Sequence, residues 1–293
     1  MSGYKTLVRY ALFSLALTLA APGRAAPEPP IVVRYPQAQN EVDRAYFIEM
    51  LKLALSKAPA RYRLQEWRMR MEKSRALHEL ASGGKLDVAW AVTNRAREAQ
   101  LLPVRIPLDK GLFGWRIALI RQRDSAIFQN IEQVDALARQ RAGLGFDWAE
   151  TAILRANGLP VVTGTTSDGL YQMLAANRFD YMPRSIAQIW EEAEQHAGLG
   201  IVAEPALALH FPSAVYFFVN RRNAALAAAL EQGLLAALDD GSFDRLFHAY
   251  NADSIQRANL GRRKIFELTN PDMSAQTPLH QARFWFSPTR DDK

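Results

Sequence analysis

Thr93 and Arg97 stand four residues apart, immediately after the run Leu86–Val92. A short apolar run bounded by polar residues reads as a buried strand. The pair then offers a hydroxyl and a guanidinium at the carboxyl end of a strand, where open α/β sheets bind ligands. A planar guanidinium matches a carboxylate with two parallel hydrogen bonds. Each charge-assisted bond is worth roughly 1.5–3 kcal/mol. Arg95 competes with Arg97 for that role, and a surface pairing of Arg97 with Glu98 is the plain structural alternative. A second group lies at later strand ends and helix starts: Asp147, Trp148, Arg184 and Ser185. Helix N-termini present unpaired N–H groups that suit anions. Arg184 could equally be a surface charge at a helix start. Tyr35, after the strand-like run Ile31–Tyr35, could cover an apolar or cationic part of a ligand, or pack locally beside Pro36.

Enzyme signatures are missing. The chain has no GxSxG elbow and no HExxH, and its five His residues are scattered singly. Gly164–Gly169 lacks the Gly-Lys-Ser/Thr ending of a phosphate loop, and Gly143-Leu144-Gly145 lacks the third glycine of a dinucleotide fingerprint. No spacing pairs two carboxylates for acid–base work. The sequence therefore predicts no catalytic residues, no metal and no cofactor.

These residues need elements to hold them. Ile31–Tyr35, Tyr62–Trp67 and Leu86–Val92 read as strands. Helices starting at Asp43 and spanning Met69–Ser82 alternate with them, the second ending at Gly83-Gly84. Trp115–Ile120 is a further apolar strand, reached through a Pro- and Gly-punctuated connection. The alternation then restarts with strands at Ala142–Phe146, Pro160–Thr163 and Phe179–Met182. Helices follow at Trp148–Ala156, from Ser167 or Asp168 through Ala176, and at Ile186–Gln195, the last led in by Pro183-Arg184-Ser185. Ala214–Val219 is strongly β-type, and helices Asn223–Leu238 and Phe243–Tyr250 flank Gly241. Strands alternating with helices imply largely parallel sheets covered on both faces.

The order strand, Thr, nearby Arg, polar turn, Pro, long strand in residues 86–121 resembles the amino-acid-type extracellular solute-binding proteins of the bacterial periplasm. The Asp239-Asp240-Gly241-Ser242-Phe243 turn is similar too, and the likeness spans residues 31–250. It implies an α/β, two-lobed type II periplasmic-binding-protein fold, each lobe a mostly parallel sheet flanked by helices, with two hinge crossovers. Lobe 1 would comprise 27–121 plus 214–250, and lobe 2 would comprise 122–213. Residues 251–293 form an extension expected to dock on the body through Phe284-Trp285-Phe286. The resemblance makes Arg97 and Thr93 a carboxylate clamp and Tyr35 an aromatic lid. It makes Trp148, Arg184 and Ser185 part of the opposing wall. Two departures stand out: Thr and Arg are commonly three apart in that family, and an Arg occupies the neighbourhood where an Asp usually holds a substrate ammonium. An anionic ligand between Arg97 and Arg184 follows as an expectation.

Residues 1–25 read as a secretory signal: Lys5 and Arg9, the uncharged run Tyr10–Ala21, and a cut after Ala25. The formal charge of +6 comes from 36 basic and 30 acidic residues; removing Lys5, Arg9 and Arg24 leaves 33 against 30, a mild excess. Only Gly261-Arg262-Arg263-Lys264 clusters basic charge, which speaks against nucleic-acid binding. With no cysteine, thiol chemistry, disulfides and a lipidated cysteine are excluded. Hydrophobic residues make up 49% of the chain, enough for two cores. The expectation is an exported, monomeric periplasmic protein that binds a small molecule and hands it to a membrane permease or sensor. Two alternatives are an enzyme of dehydratase or lyase type on the same scaffold and a ligand-free interaction module.

Overall fold

The computed structural model describes residues 29–37, 41–71 and 73–288. The expected signal segment lies outside them. The first half of the chain runs β1 (Ile31–Gln37), α1 (Glu41–Ser56), β2 (Tyr62–Arg70), α2 (Lys73–Ala81), β3 (Val88–Val92), α3 (Arg95–Gln100) and β4 (Leu102–Val104). After a long connection come β5 (Trp115–Arg121), α4 (Ser125–Gln129), α5 (Val134–Leu137), β6 (Ala142–Gly145), α6 (Ala149–Ala156) and β7 (Val161–Gly164). Then follow α7 (Ser167–Ala175), β8 (Tyr181–Ser185), α8 (Ile189–Gln195), β9 (Ile201–Ala203) and β10 (Leu207–His210). The chain ends with β11 (Val215–Val219), α9 (Ala224–Asp239), α10 (Ser242–Ala258) and β12 (Lys264–Glu267), followed by an irregular segment.

In the first lobe, β1 and β2 pair in parallel, while β11 runs antiparallel between β3 and β4. Asp87 joins the two ladders: its N–H donates to the Arg34 carbonyl at 2.8 Å, and its carboxylate takes a two-pronged bond from the Arg34 guanidinium. In the second lobe, β6 pairs in parallel with β7 and β8, and β10 with β12. β5 runs antiparallel to β8, β9 and β10. The crossover strand, which the sequence grouped with the first lobe, thus hydrogen-bonds only within the second sheet. Its seven residues are almost all buried, and such an apolar strand carries no mark of which sheet will take it. The sheet boundary falls instead in two connections, 105–114 and 211–214.

Two further differences concern boundaries. β2 continues to Arg70 where a helix was expected from Met69. β8 runs on through Pro183, Arg184 and Ser185, where the sequence placed a helix lead-in. Proline is tolerated there because β8 meets β6 only at Tyr181, so no ladder bond from residue 183 to that side is lost.

The largest apolar cluster runs from the α1–α9 layer through Trp115 and Ile117 into the α7–α8 face of the second lobe. Separate clusters cover the opposite face of each sheet, one around Leu80 and Phe218 and one around Leu144 and Phe266. At the hinge, buried Asp109 ties the first connection to the start of β11. Its Oδ2 accepts from the Phe113 N–H at 2.9 Å, and its Oδ1 accepts from the Val215 N–H at 3.1 Å. Burial pushes this carboxyl up to about 6, against the pull of those N–H donors. The raised value means the folded chain keeps a proton that the unfolded chain releases near 3.8. Stability from this group is therefore full at low pH, falls as pH rises between those two values, and stays low above about 6. The expected size is on the order of 2–3 kcal/mol. Urea midpoints should fall between pH 4 and 7, and the fall should shrink in Asp109→Asn; equal slopes would remove Asp109 as its source.

Candidate functional site

The carboxyl ends of β1 and β3 in one lobe and of β6 and β8 in the other carry the residues singled out from the sequence. Thr93 closes β3, its N–H bonded to the Ala214 carbonyl at 2.8 Å. Its hydroxyl is buried and donates to Glu98 Oε1 at 2.6 Å, while Glu98 Oε2 accepts from Arg105 at 2.6 Å. The Thr93 hydroxyl is therefore already engaged within its own loop, and Glu98 is paired with Arg105 rather than Arg97.

Asn94 caps α3 by accepting from the Arg97 N–H at 2.8 Å. The Arg97 guanidinium turns back and donates through Nη1 to the Val92 carbonyl. Among the described residues, no carboxylate lies within ion-pair distance of Arg97. Burial holds this guanidinium below the ordinary arginine range, opposed by Glu150, Asp147 and Asp272. Glu150 lies in the first turn of α6 and Asp147 just before its cap, so the charge of the lobe-1 arginine is acted on by the acidic helix start of lobe 2. Arg95 points elsewhere: it is exposed, 3.3 Å from Asp272 Oδ1, and its Nη2 donates to the Pro271 carbonyl at 2.6 Å. Tyr35 is half-buried, its ring 6.5 Å from Trp90 and tilted at 35°.

In lobe 2, Arg184 and Trp148 come together, with the guanidinium carbon 4.6 Å from the ring centroid. Arg184 is buried and bound twice by Glu192, Nε to Oε2 at 2.6 Å and Nη2 to Oε1 at 2.5 Å. Burial opposes its charge, but the Glu192 carboxylate holds it above the ordinary arginine value. Trp148 also fills the space over Gly145, where a Cβ would lie 2.4 Å from the indole nitrogen. Ser185 is fully buried; its Oγ donates weakly to the Leu112 carbonyl at 3.4 Å and accepts from the Ala187 N–H at 3.3 Å. The Glu150 charge acts on both Arg184 and Arg97. Of these two, Arg97 has no acidic partner among the described residues, whereas Arg184 has Glu192.

Sequence reasoning missed Arg116 and Glu150. Arg116 on β5 is 2% exposed, lies over Phe211, and is ion-paired with Glu150. Burial opposes the Glu150 charge, yet Arg116 keeps its carboxyl below the ordinary glutamate range. A signal existed: Arg116 interrupts the apolar run Trp115–Ile120, and a charge inside a buried strand needs a partner. The pairing makes Glu150 a fixed carboxylate and a poor proton donor. No group of three or more His, Cys, Asp or Glu side chains able to hold a metal occurs among the described residues. No helix among them is long and apolar enough to cross a membrane.

No protein-family model matches the chain, and no curated protein matches its sequence. Solved structures do resemble it. The probable amino-acid ABC transporter extracellular-binding protein ytmK of Bacillus subtilis superposes with a TM-score of 0.58 at 16% identity, covering 76% of this chain and 98% of its own. The VFT2 domain of Bordetella pertussis BvgS gives 0.56 at 16% identity, over 75% and 92%. The ancestral amino-acid-binding protein AncCDT-1, a precursor of cyclohexadienyl dehydratase, gives 0.53 at 13%, over 75% and 95%. The chain has the α/β, two-lobed type II periplasmic-binding-protein fold. About a quarter of it lies outside each likeness.

Proposed function

We propose, from a chain that carries this two-lobed fold, that the protein is exported and captures a small carboxylate-bearing solute between its lobes. Arg97 is the carboxylate clamp. The observation that carries this reading is the state of Arg97: half-buried, its backbone N–H held by the Asn94 cap, its guanidinium turned to the Val92 carbonyl and free of any acidic partner among the described residues. Arg184, by contrast, is neutralised by Glu192 and serves as a stacked wall with Trp148. Tyr35 and Trp90 supply an aromatic flank on the lobe-1 side. Ligand stabilises the closed arrangement only through contacts it makes better there. The closed form then serves a membrane permease or a sensor; similar structures include a probable transporter component and a BvgS domain.

A second reading is an enzyme on the same scaffold, favoured by the likeness to a dehydratase precursor. It requires a mobile proton, whereas Glu150 and Glu192 are each held by an arginine. A thermal-shift screen of amino acids and organic acids, followed by calorimetry, separates the two. Carboxylates are expected to raise the melting temperature without turnover. Arg97→Ala is expected to weaken binding roughly tenfold or more, the scale of one charge-assisted hydrogen bond. Binding of carboxylate-free cations alone, or product formation, would reject the capture reading.

A further inference from the structure

The segment after β12 leaves the second sheet and touches both lobes within four residues. Thr269 is clamped to Asn157 at the end of α6: the Asn157 amide donates to the Thr269 carbonyl at 2.8 Å, and the Thr269 N–H donates back to Asn157 Oδ1 at 2.9 Å. Asn270 donates to the Pro212 carbonyl in the second hinge connection at 2.9 Å. Pro271 and Asp272 then hold the start of α3 in the first lobe. The Asp272 carbonyl accepts from the Arg95 N–H at 3.1 Å, and the Arg95 side chain binds the Pro271 carbonyl and the Asp272 carboxylate. Arg95 is two residues from Arg97, and Asp272 acts on the Arg97 charge. Beyond this point the chain returns to the hinge: the Phe286 N–H donates to the Lys110 carbonyl at 2.8 Å, and Trp285 lies against Gly111.

The span from residue 269 to 272 is three residue steps. Fully extended, it reaches about 10–11 Å. To that reach are added the Asn157 side chain and one hydrogen bond at each end, 2.8 Å and 3.1 Å long; rotation that parts the end of α6 from the start of α3 beyond that total must break one anchor. We propose that residues 269–272 are an interlobe latch, with Asn157 and Arg95 as its two anchors, which holds the lobes together and sets how readily they part. This goes beyond the capture reading and does not depend on it, because the latch acts whether or not a solute is bound.

The absence of cysteine makes the test direct. Spin labels at Ala60→Cys and Arg178→Cys, both exposed and one in each lobe, report the interlobe distance by double electron–electron resonance without ligand. Asn157→Ala removes one anchor, and Arg95→Ala removes the side-chain part of the other. Each is expected to raise the ratio of long-distance to short-distance populations roughly three- to tenfold, and the double variant further. Circular dichroism checks that the variants are folded. If Asn157→Ala weakens α6, which it also caps, Arg95→Ala at the opposite end decides. Distance distributions identical to the unsubstituted chain in Arg95→Ala and in the double variant would overturn the latch. Loss of solute binding alone, with the distances unchanged, would do so as well.

Discussion

Replacing Glu150 by alanine is expected to destabilise the fold by about 3–5 kcal/mol, the cost of leaving a buried charge without its partner. Arg116 sits on the central strand of the second sheet, 2% exposed, with Phe211 beneath its guanidinium. Its Nε has no hydrogen-bond partner, so Glu150 is its principal acceptor. Water cannot readily replace that acceptor, because the Arg116 side chain is almost wholly buried. The expected control is informative. Arg116→Met combined with Glu150→Leu removes both charges and should recover most of the loss, since an apolar pair avoids the desolvation of two ions. Urea unfolding of the three proteins checks the result. A loss under 1 kcal/mol in Glu150→Ala would mean that Arg116 finds another acceptor.

Gly233→Ala is also expected to destabilise the fold, for a different reason. Gly233 lies in the middle of α9 where that helix crosses α1. A Cβ there would fall 1.9 Å from the Ala54 carbonyl oxygen and 2.7 Å from its carbon. Real Cβ contacts essentially never come under 3.0 Å, so one backbone must retreat by about an ångström. The obstacle is main chain, and no rotamer change relieves it. Met50, Leu51, Leu230 and Leu234 pack along the same contact and would separate together. Overpacking of this kind costs about 1–3 kcal/mol and more where the backbone must shift. The gain in helix propensity, about 1 kcal/mol, offsets only part of it. Thermal denaturation should show a fall of several degrees or more; an unchanged midpoint would mean that the α1–α9 crossing is looser than its geometry shows.

Much of this was legible in the chain. Helical spacing in α1, the glycine stop after α2 and the β-type run Val215–Val219 all follow from local periodicity, and the structure contains each of them. The same local logic failed at Pro183-Arg184-Ser185, where a strand continues through a proline that faces no ladder bond. It also failed to assign β5. A buried strand looks alike whichever sheet accepts it, and its partners β8, β9 and β10 lie far along the chain.

At the candidate site the division is sharper. The sequence alone determined that a hydroxyl and an arginine follow β3, that aromatic and basic residues end β6 and β8, and that thiol chemistry is absent. Those are facts of order and composition. Only the tertiary structure decided which charges remain available. Glu98 engages Thr93, Glu192 takes Arg184, Glu150 takes Arg116, and Arg95 turns to Asp272. Two of these partners stand 34 and 177 residues away in sequence. Ion pairing depends on distance and desolvation in space, and neither quantity is written in the spacing of residues along a chain.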